Sequence, residues 1–510
     1  MMTKNTSKKR RFGSALSGFF LILSVLVSFV ALYSAKWYAS VYGQMGFDAI
    51  LYTLTADLKG VDEGLVSSYL WSVLPKTLGW TALVGILLFV RTKKEIVLTL
   101  FQKLRIRLFP AGWLLRWLLV LALCSGLLLS AARISELDKY IQNLRALSTV
   151  YEDEYRDPKT TNITFPEKKR NLVYIFLESM ETTYLSKEQG GALENNVIPE
   201  LYQLAQENIN FSHNEDVGGF SAASGATWTV GAMVAQTAGI PLKTPPEVGG
   251  NDYGKDGNFL PGVTSLTDVL HENGYYQALM VGSDASFGGR REYFNSHHMD
   301  RVYDLFTARA DGLISPQHYV WWGYEDFHLF DYAKQALTDI SQQEQPFAFT
   351  MLTVDTHHVA GYVCPYCEST YAEQYENVMA CSSRQVLAFV QWLQEQPFYE
   401  NTTVIIAGDH PSMDYDYIAR VAPEDYARHM YNCFINSAVT TDNIKNRLFN
   451  TYDMFPTTLA AMGCTIEGDR LALGTNLFSS TPTLLEATDG AIAAEFEKNS
   501  AYYTKNFFFK

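Results

Sequence analysis

The chain has 510 residues, of which 47% are hydrophobic, and its formal net charge is −14 at pH 7. This length exceeds that of one ordinary domain and allows a large core. The acidic balance excludes nucleic acid as the main partner, because binding to a phosphate backbone requires a basic surface.

Three apolar segments near the N-terminus predict membrane-spanning helices. They cover about residues 13–33, 74–90 and 111–132, and a run of roughly 17–25 apolar residues is long enough to cross a bilayer. The first segment could instead be a cleaved signal peptide, but no small-residue cleavage site follows it. A short segment at 47–55 is either a further membrane segment or an amphipathic surface helix.

Basic residues predict the orientation of these spans. They cluster before the first span and between the second and third: Lys4, Lys8, Lys9, Arg10 and Arg11, then Arg91, Lys93, Lys94, Lys103, Arg105 and Arg107. Because loops rich in lysine and arginine stay in the cytoplasm, both clusters are expected inside. Three spans then leave everything after Arg133 outside.

These patterns divide the chain into four parts. We expect a membrane domain at 1–133, a charged connector at 134–167, a soluble domain at 168–485 and a loosely held tail at 486–510. The soluble part alternates strands and helices, which predicts an α/β fold with a mainly parallel sheet flanked by helices. The expected strands are 172–177, 276–281, 347–353 and 404–407, and the main helices are 198–207, 264–273, 325–341, 383–395 and 452–462.

Two of the predicted strands end in side chains that can bind a metal ion. The apolar run at 402–407 stops at Gly408, Asp409 and His410, and the run at 171–177 is followed by Glu178. Open α/β sheets place their sites at the carboxyl ends of strands, so these side chains are expected to converge. Asp409 could alternatively be an ordinary helix N-cap, but the matching second strand favours a site.

A third segment offers a nucleophile. In residues 218–241, a stretch rich in small and hydroxyl-bearing side chains precedes a helix that is predicted to begin near Thr229. A hydroxyl at a helix N-terminus lies at the positive end of the dipole, beside unpaired N–H groups. That position suits a nucleophile that must hold a phosphoryl or sulfuryl group. Thr227 and Thr229 both fit, and either could instead be a simple N-cap.

Two further loops follow strands and offer groups for an anionic substrate. The sequence DTHH at 355–358 includes His357, which could bind an anion or protonate a leaving group. The sequence GSDASFGGRRE at 282–292 offers Asp284 for substrate binding, and Arg290 or Arg291 for bidentate binding of a phosphate. The alternatives are incidental loop histidines and a solvated arginine pair.

These candidate ligands are mostly oxygen atoms. Two carboxylates, one threonine oxygen and one imidazole suit Mn²⁺ or Zn²⁺, and Mg²⁺ less well because of the imidazole. A bound cation would lower the pKa of the threonine hydroxyl. We therefore expect a two-step displacement at phosphorus through a phospho-threonine.

Six cysteines are present. Cys124 lies in the third span, where packing is its expected role. Cys364 and Cys367 form a CPYC unit with Cys381 nearby, and outside the cell a local disulfide is the simpler interpretation. We expect a structural role for all six.

The combination of motifs resembles a known family, the membrane-anchored phosphoglycerol transferases of the alkaline phosphatase and sulfatase superfamily. That family includes lipoteichoic acid synthase and the enzyme that decorates periplasmic glucans, and the glucan branch is the more similar. The motifs are LES at 177–179, WTVGAMVAQTAGIPL at 228–242, GSDASFGGRREYF at 282–294, TVDTHH at 353–358 and GDH at 408–410.

The resemblance implies roles for individual residues. The implied metal ligands are Glu178, Thr229, Asp409 and His410. Thr229 would also be the nucleophile, preferred over Thr227 because its Trp-Thr step aligns best. His357 would act near the phosphate and the leaving group, and Arg290 would bind the phosphoglycerol head group. The chain departs from the lipoteichoic branch at Gly288, where that branch has tryptophan, so the acceptor pocket is expected to differ.

The implied function is a multi-pass enzyme of the bacterial cytoplasmic membrane, with its catalytic domain on the periplasmic or extracellular side. It would use Mn²⁺ or a similar cation to move phosphoglycerol from a phosphatidylglycerol-type lipid to a glycan or polyol. The alternatives are a phosphoethanolamine transferase, a phosphodiesterase or sulfatase-type hydrolase, and a metal-free sensor or scaffold. A sulfatase is disfavoured because its nucleophile is a modified cysteine or serine.

Overall fold

The computed structural model describes residues 2–43, 47–55, 63–89, 96–100, 104–109, 113–244, 253–254 and 257–509. These residues fall into two compact units. The helices are α1 Met2–Tyr42, α2 Phe47–Thr55, α3 Glu63–Phe89, α4 Trp113–Ile134, α5 Leu137–Arg145, α6 Val150–Glu154, α7 Pro199–Glu207, α8 Thr229–Ala238, α9 Leu266–Glu272, α10 Arg290–Ser296, α11 Leu305–Ala310, α12 Asp326–Ile340, α13 Gln374–Gln394, α14 Tyr415–Val421, α15 Met454–Ala461, α16 Leu484–Thr488, α17 Ala493–Glu497 and α18 Ala501–Tyr503. The strands are β1 Ile96–Leu100, β2 Leu104–Phe109, β3 Ile163–Thr164, β4 Asn171–Leu177, β5 Gly219–Ser221, β6 Tyr276–Val281, β7 Arg301–Tyr303, β8 Phe347–Leu352, β9 Thr402–Gly408, β10 His429–Ile435, β11 Thr465–Ile466, β12 Arg470–Leu471 and β13 Gly474–Thr475.

The first unit contains α1, α3 and α4, which confirm the three predicted apolar segments as helices. Their stretches Leu16–Val41, Val66–Phe89 and Leu114–Ile134 are long and apolar enough to cross a membrane. By length and composition of these helices the chain is a membrane protein. The helices pack on one another through a small apolar cluster that includes Cys124.

The connection between α3 and α4 contains an antiparallel pair of strands, β1 and β2, that the sequence interpretation missed. Of the basic residues expected there, Arg91, Lys93, Lys94 and Lys103 lie outside the described residues.

The second unit is built on a seven-stranded sheet with the order β5-β10-β9-β4-β8-β6-β7. The strands β9, β4, β8, β6 and β7 run parallel, whereas β10 is antiparallel to both β9 and β5. The predicted fold class and all four predicted strands are therefore confirmed. Every residue of β4 and β9 is buried, which explains their continuous apolar sequences. The sequence HMYNCFI of β10 carries internal polar residues and lacks that signal.

The predicted helices are present as α7, α9, α12, α13 and α15. The helix α13 begins at Gln374, nine residues earlier than the 383 predicted. Its first turns bury Tyr375, Val378 and Met379, which follow the spacing of one helix face. The polar residues between them, in QYENVMACS, hid this periodicity in the sequence.

The short helix α2 belongs to the second unit. Its Tyr52 is buried, and the Tyr52 hydroxyl donates to the carbonyl of Gly288 at 2.7 Å. The helix α2 therefore packs on the second unit, and its nine residues are too few to span a bilayer, which argues against the further membrane segment.

Hydrogen bonds attach α8 to the end of the sheet. Gln236 Nε2 donates to the carbonyl of Gly408 at 3.0 Å, and the Tyr174 hydroxyl donates to Gln236 Oε1 at 2.8 Å. Glycine is required at 408, because a Cβ there would lie 1.9 Å from the carbonyl oxygen of Met180. These contacts bring the start of α8 close to the ends of β4 and β9.

The C-terminal residues are packed, so the expectation of a loosely held tail is wrong. Tyr503 and Phe507 are buried. The Tyr503 hydroxyl donates to the carbonyl of Pro241 at 2.9 Å, and the Phe507 ring lies 4.7 Å from that of Tyr155. Burying large aromatic rings stabilises the fold, which explains why this segment is ordered on the domain.

The predicted local disulfide is also absent. Cys364, Cys367 and Cys381 are free thiols. The sulfur of Cys364 lies 3.7 Å from that of Cys381 and 3.6 Å from that of Cys367, so neither of these pairs is at bonding distance.

A buried ion pair holds the loop that follows β9. Arg428 donates to both carboxylate oxygens of Glu181, and Ser412 N donates to Glu181 Oε1 at 2.8 Å. We expect Arg428→Met to lower the free energy of unfolding by about 3–5 kcal/mol, because it leaves the buried Glu181 carboxylate without its partner. Urea denaturation of the purified protein measures this.

An exposed ion pair provides the matched control. Arg420 Nη2 lies 3.1 Å from Glu373 Oε2, and both side chains are about half exposed. Arg420→Met is therefore expected to cost about 1 kcal/mol or less. Equal losses in the two variants would contradict the role assigned to Arg428.

Candidate active site

Two neighbouring strands bring the two candidate carboxylates together. The strands β4 and β9 are parallel, and Leu177 pairs with Gly408 at their ends. The next residue on each strand is therefore Glu178 and Asp409, side by side at the carboxyl edge of the sheet. His410 follows directly, and all three side chains are buried.

Thr229, the first residue of α8, completes the cluster. Its hydroxyl Oγ1 donates to Glu178 Oε2 at 3.3 Å and lies 3.2 Å from His410 Nε2. His410 Nε2 is itself 3.4 Å from Glu178 Oε1 and 3.3 Å from Asp409 Oδ2. The structure thus brings together the four residues that were predicted as metal ligands. Both hydroxyl contacts are made by Thr229 and not by Thr227.

The cluster fits a divalent cation. Asp409 Oδ2 is buried and has no hydrogen-bond partner among the described residues, and a buried carboxylate oxygen is costly without one. Asp409 Oδ1 accepts instead from Ser179 N and His410 N, at 2.8 and 2.7 Å. His410 Nδ1 lies 2.9 Å from the carbonyl of Pro411, which leaves Nε2 to the cluster. Two carboxylates, a hydroxyl and an imidazole suit Mn²⁺ or Zn²⁺.

In this cluster, the charge of each group changes the pKa of its neighbours. Burial and the Glu178 charge raise the pKa of Asp409 to about 8. Burial opposes charging of His410, but the Asp409 and Glu178 carboxylates raise its pKa to about 9. Burial also acts to raise the pKa of Glu178, but the charge and hydrogen bond of His410 hold it well below the usual range. Without a cation the cluster therefore retains protons near neutral pH.

Cation affinity should consequently depend on pH. Because Asp409 and His410 must lose their protons to act as ligands, affinity should rise from pH 6 to pH 8 and level off above about pH 9. Titration calorimetry with Mn²⁺, in buffers of different ionisation enthalpy, measures both affinity and proton release. An affinity that stays constant from pH 6 to pH 8 would contradict the assignment of these two ligands.

A pocket beside Thr229 offers groups for an anionic substrate. Its lining residues are Glu178, Thr229, Ser283, Phe287, Arg290, Trp322, Leu352, Thr353, Val354 and His357. Arg290 is buried, and its Nε and Nη2 donate to Phe287 O at 3.1 Å and Ser283 Oγ at 3.0 Å. These bonds fix the guanidinium plane at the pocket.

The structure distinguishes the two adjacent arginines. Arg290 lines the pocket, whereas Arg291 forms an ion pair with the fully buried Asp304. Asp284 lies close by, but its carboxylate accepts the N–H of Ser286 at 2.8 Å and stabilises the turn. Asp284 is not among the pocket residues, and its substrate-binding role stays a prediction.

His357 lies at the same pocket in a defined orientation. Its Nδ1 lies 2.8 Å from the carbonyl of His358, so this nitrogen carries the proton and Nε2 remains for a substrate. Burial lowers the pKa of His357, which favours the neutral ring at pH 7. The His357 ring packs on Trp322 with centroids 4.1 Å apart. The loop is held by Asp326, whose carboxylate accepts from Val354 N and Asp355 N.

Two aromatic residues, one lining the pocket and one packed beside it, were missed in the sequence. Trp322 packs on both His357 and Phe287, and comes from the loop between α11 and α12, which has no periodic pattern. The adjacent tryptophans of WWGYED were the only available signal. Tyr52 is remote in sequence, yet its ring lies 5.6 Å from that of Trp228, next to Thr229. No local pattern indicated that contact.

A family model and several known proteins match this part of the chain. A family model described as sulfatase matches residues 170–464. Phosphoglycerol transferase I of Xanthomonas campestris pv. campestris (strain ATCC 33913) is 32% identical over 302 residues, covering 58% of this chain and 41% of that protein. Phosphoglycerol transferase I of Escherichia coli (strain 55989) is 29% identical over 413 residues, covering 77% and 48%. The chain thus spans less than half the length of these relatives.

Solved structures that resemble this chain have lower sequence identity to it than these relatives. The lipoteichoic acid synthase LtaP from Listeria monocytogenes is 18% identical with a TM-score of 0.49, covering 64% of this chain and 79% of that one. The lipooligosaccharide phosphoethanolamine transferase A from Neisseria meningitidis is 14% identical with a TM-score of 0.47, covering 87% and 84%.

Proposed function

Because the chain belongs to the sulfatase family, we propose that it is a metal-dependent phosphoglycerol transferase with Thr229 as its nucleophile. The observation that carries the proposal is the position of the Thr229 hydroxyl, at the start of α8 and within 3.3 Å of both Glu178 and His410. The relatives named phosphoglycerol transferase I support the choice of transferred group.

The donor is a phosphatidylglycerol-type lipid and the acceptor a glycan or polyol. A lipid donor agrees with the helices that are long and apolar enough to cross a membrane. The protein is a multi-pass protein of a bacterial cytoplasmic membrane, with residues 168–485 as the catalytic domain on the periplasmic or extracellular side. Residues 1–133 hold it in the membrane and residues 134–167 connect the two parts.

The first step transfers phosphoglycerol to the protein. Thr229 Oγ1 forms a bond to phosphorus while the bond from phosphorus to the diacylglycerol oxygen breaks. The proton of the Thr229 hydroxyl ends on diacylglycerol, so the products are diacylglycerol and a phospho-threonine. Arg290 binds the phosphate, because its guanidinium is held at the pocket by Phe287 and Ser283.

The second step transfers phosphoglycerol to the acceptor. The acceptor oxygen forms a bond to phosphorus, the bond to Thr229 Oγ1 breaks, and the acceptor proton returns overall to Thr229. His357 suits the exchange of this proton, because burial favours its neutral ring, its Nδ1 is held by a carbonyl and the residue lines the pocket.

Glu178, Asp409, His410 and Thr229 would hold Mn²⁺, or Zn²⁺ or Mg²⁺. A cation held there would favour the ionised threonine and offset charge on the phosphate.

A donor assay tests the proposal. The purified protein in detergent with Mn²⁺ is given phosphatidylglycerol or, separately, phosphatidylethanolamine, and diacylglycerol release is followed. We expect release from phosphatidylglycerol only. Release from phosphatidylethanolamine instead would make the protein a phosphoethanolamine transferase. Release from neither lipid by a protein with bound metal would overturn the lipid-donor proposal and favour a soluble phosphodiester.

A further inference from the structure

Three cysteines form a second cluster of metal-binding atoms. Cys364 and Cys367 lie on the loop that follows His357, and Cys381 lies on α13. One sulfur of each lies within 4.8 Å of the others. Cys364 and Cys381 are buried, whereas Cys367 is partly exposed. None of the three lines the pocket beside Thr229.

The spacing of the sulfurs matches thiolates around one cation. Cys364 Sγ lies 3.7 Å from Cys381 Sγ and 3.6 Å from Cys367 Sγ. Tetrahedral zinc with Zn–S bonds of about 2.3 Å separates its sulfur ligands by about 3.8 Å. A disulfide would require about 2.05 Å and would use only two of the three sulfurs.

The surrounding groups favour a thiolate at Cys364. The neighbouring thiols of Cys367 and Cys381, and after them the backbone N–H groups of Tyr366 and Cys367, lower the pKa of Cys364, whereas contact with the Cys364 sulfur raises the pKa of Cys367 and Cys381. Gln385 Nε2 donates to Cys381 Sγ at 3.5 Å, and the positive charge of Arg384 lies near the same sulfur. Donors and a positive charge directed at sulfur stabilise its ionised form, which is the form that binds metals.

The turn between the first two cysteines is already formed. Cys367 N donates to the carbonyl of Cys364 at 3.0 Å, and this closed turn places both sulfurs on the same side as Cys381. The ligands therefore need little rearrangement. Cys367 is partly exposed, so solvent reaches the cluster, and water is a common fourth ligand of zinc held by three side chains.

We propose that Cys364, Cys367 and Cys381 bind one thiophilic divalent cation of the Zn²⁺ type, separate from the cation at Thr229. Binding replaces the thiol protons by metal–sulfur bonds and releases those protons, with no change in oxidation state. The cation ties the loop that carries His357 to α13. The proposal does not depend on the transferase activity.

Cobalt spectroscopy of the full-length protein in detergent tests this. Reduced, metal-stripped protein is titrated with Co²⁺, and the near-ultraviolet thiolate-to-cobalt absorption is recorded. We expect the band to saturate by two equivalents of Co²⁺, because the cluster at Thr229 also binds divalent cations, and Cys381→Ser to remove most of it. Asp409→Asn should keep the band, because the cluster at Thr229 has no sulfur ligand. Cys433→Ser is the matched control, since Cys433 is a buried thiol on β10 outside the cluster.

A second measurement uses the unaltered protein, in case Cys381→Ser fails to fold. Protein purified without reductant is alkylated with a maleimide, with and without added Zn²⁺, and its peptides are identified by mass spectrometry. Protection of all three cysteines by Zn²⁺ supports the site. A disulfide between any two of them, equal alkylation with and without Zn²⁺, or a wild-type protein without the cobalt band would overturn the proposal.

Discussion

Thr229→Ala is expected to lower the rate of phosphoglycerol transfer by about 10³-fold or more, because it removes the attacking oxygen and leaves the rest of the site in place. The change is small in volume, and Thr229 is only partly buried, so the fold should be unaffected. Diacylglycerol release from phosphatidylglycerol, measured at saturating donor, gives the effect on kcat.

Two variants sharpen this test. Thr227→Ala makes the same chemical change two residues earlier, where the hydroxyl contacts neither Glu178 nor His410, and should retain activity. Thr229→Ser keeps an oxygen at the same place and should retain a measurable part of the rate. Loss of turnover in Thr227→Ala, with activity kept in Thr229→Ala, would reverse the assignment of the nucleophile.

Asp409→Asn is expected to weaken cation binding at the Thr229 cluster by more than about 100-fold, with a parallel loss of transfer. Altering a residue that only supports a metal ligand already costs about 10–100-fold in affinity, and Asp409 offers a ligand atom directly. Asparagine keeps an oxygen for the N–H groups of Ser179 and His410 but replaces Oδ2, which accepts no hydrogen bond, by an amide nitrogen. Calorimetry with Mn²⁺ measures the affinity.

Asp416→Asn is the control for charge, since it removes one carboxylate from an exposed position on α14 of the same loop region. It should bind Mn²⁺ with wild-type affinity. Unchanged affinity in Asp409→Asn, at a pH where both variants are folded, would remove Asp409 from the ligand set.

Arg428 and Asp326 support the two loops that carry candidate site residues, although neither side chain lines the pocket. Arg428 neutralises Glu181, which holds Ser412 on the loop after β9. Asp326 accepts two N–H groups from the loop that carries His357. Both loops leave the same edge of the sheet, and neither Arg428 nor Asp326 lines the pocket, so both residues support the site through the loops that carry it.

The sequence by itself predicted the helices and strands whose residues follow a local pattern. The apolar helices and the buried strands β4 and β9 each have a continuous signal, because a segment buried on all sides needs apolar residues throughout. The ends of those strands then indicated Glu178, Asp409 and His410 in advance. The residues around α8 also predicted where this helix begins, but by themselves they did not decide whether Thr227 or Thr229 is the nucleophile.

Only the tertiary structure decided which side chains meet. The pairing of Leu177 with Gly408 and the contact of Trp322 with His357 join residues far apart in the chain. The structure also places Arg290 at the pocket, where the residues alone allowed Arg290 or Arg291 and the family resemblance implied Arg290. The burial of the C-terminal residues has the same origin. Such contacts depend on packing between elements, which leaves no periodic trace in either segment, because each side chain is specified by a partner elsewhere in the fold.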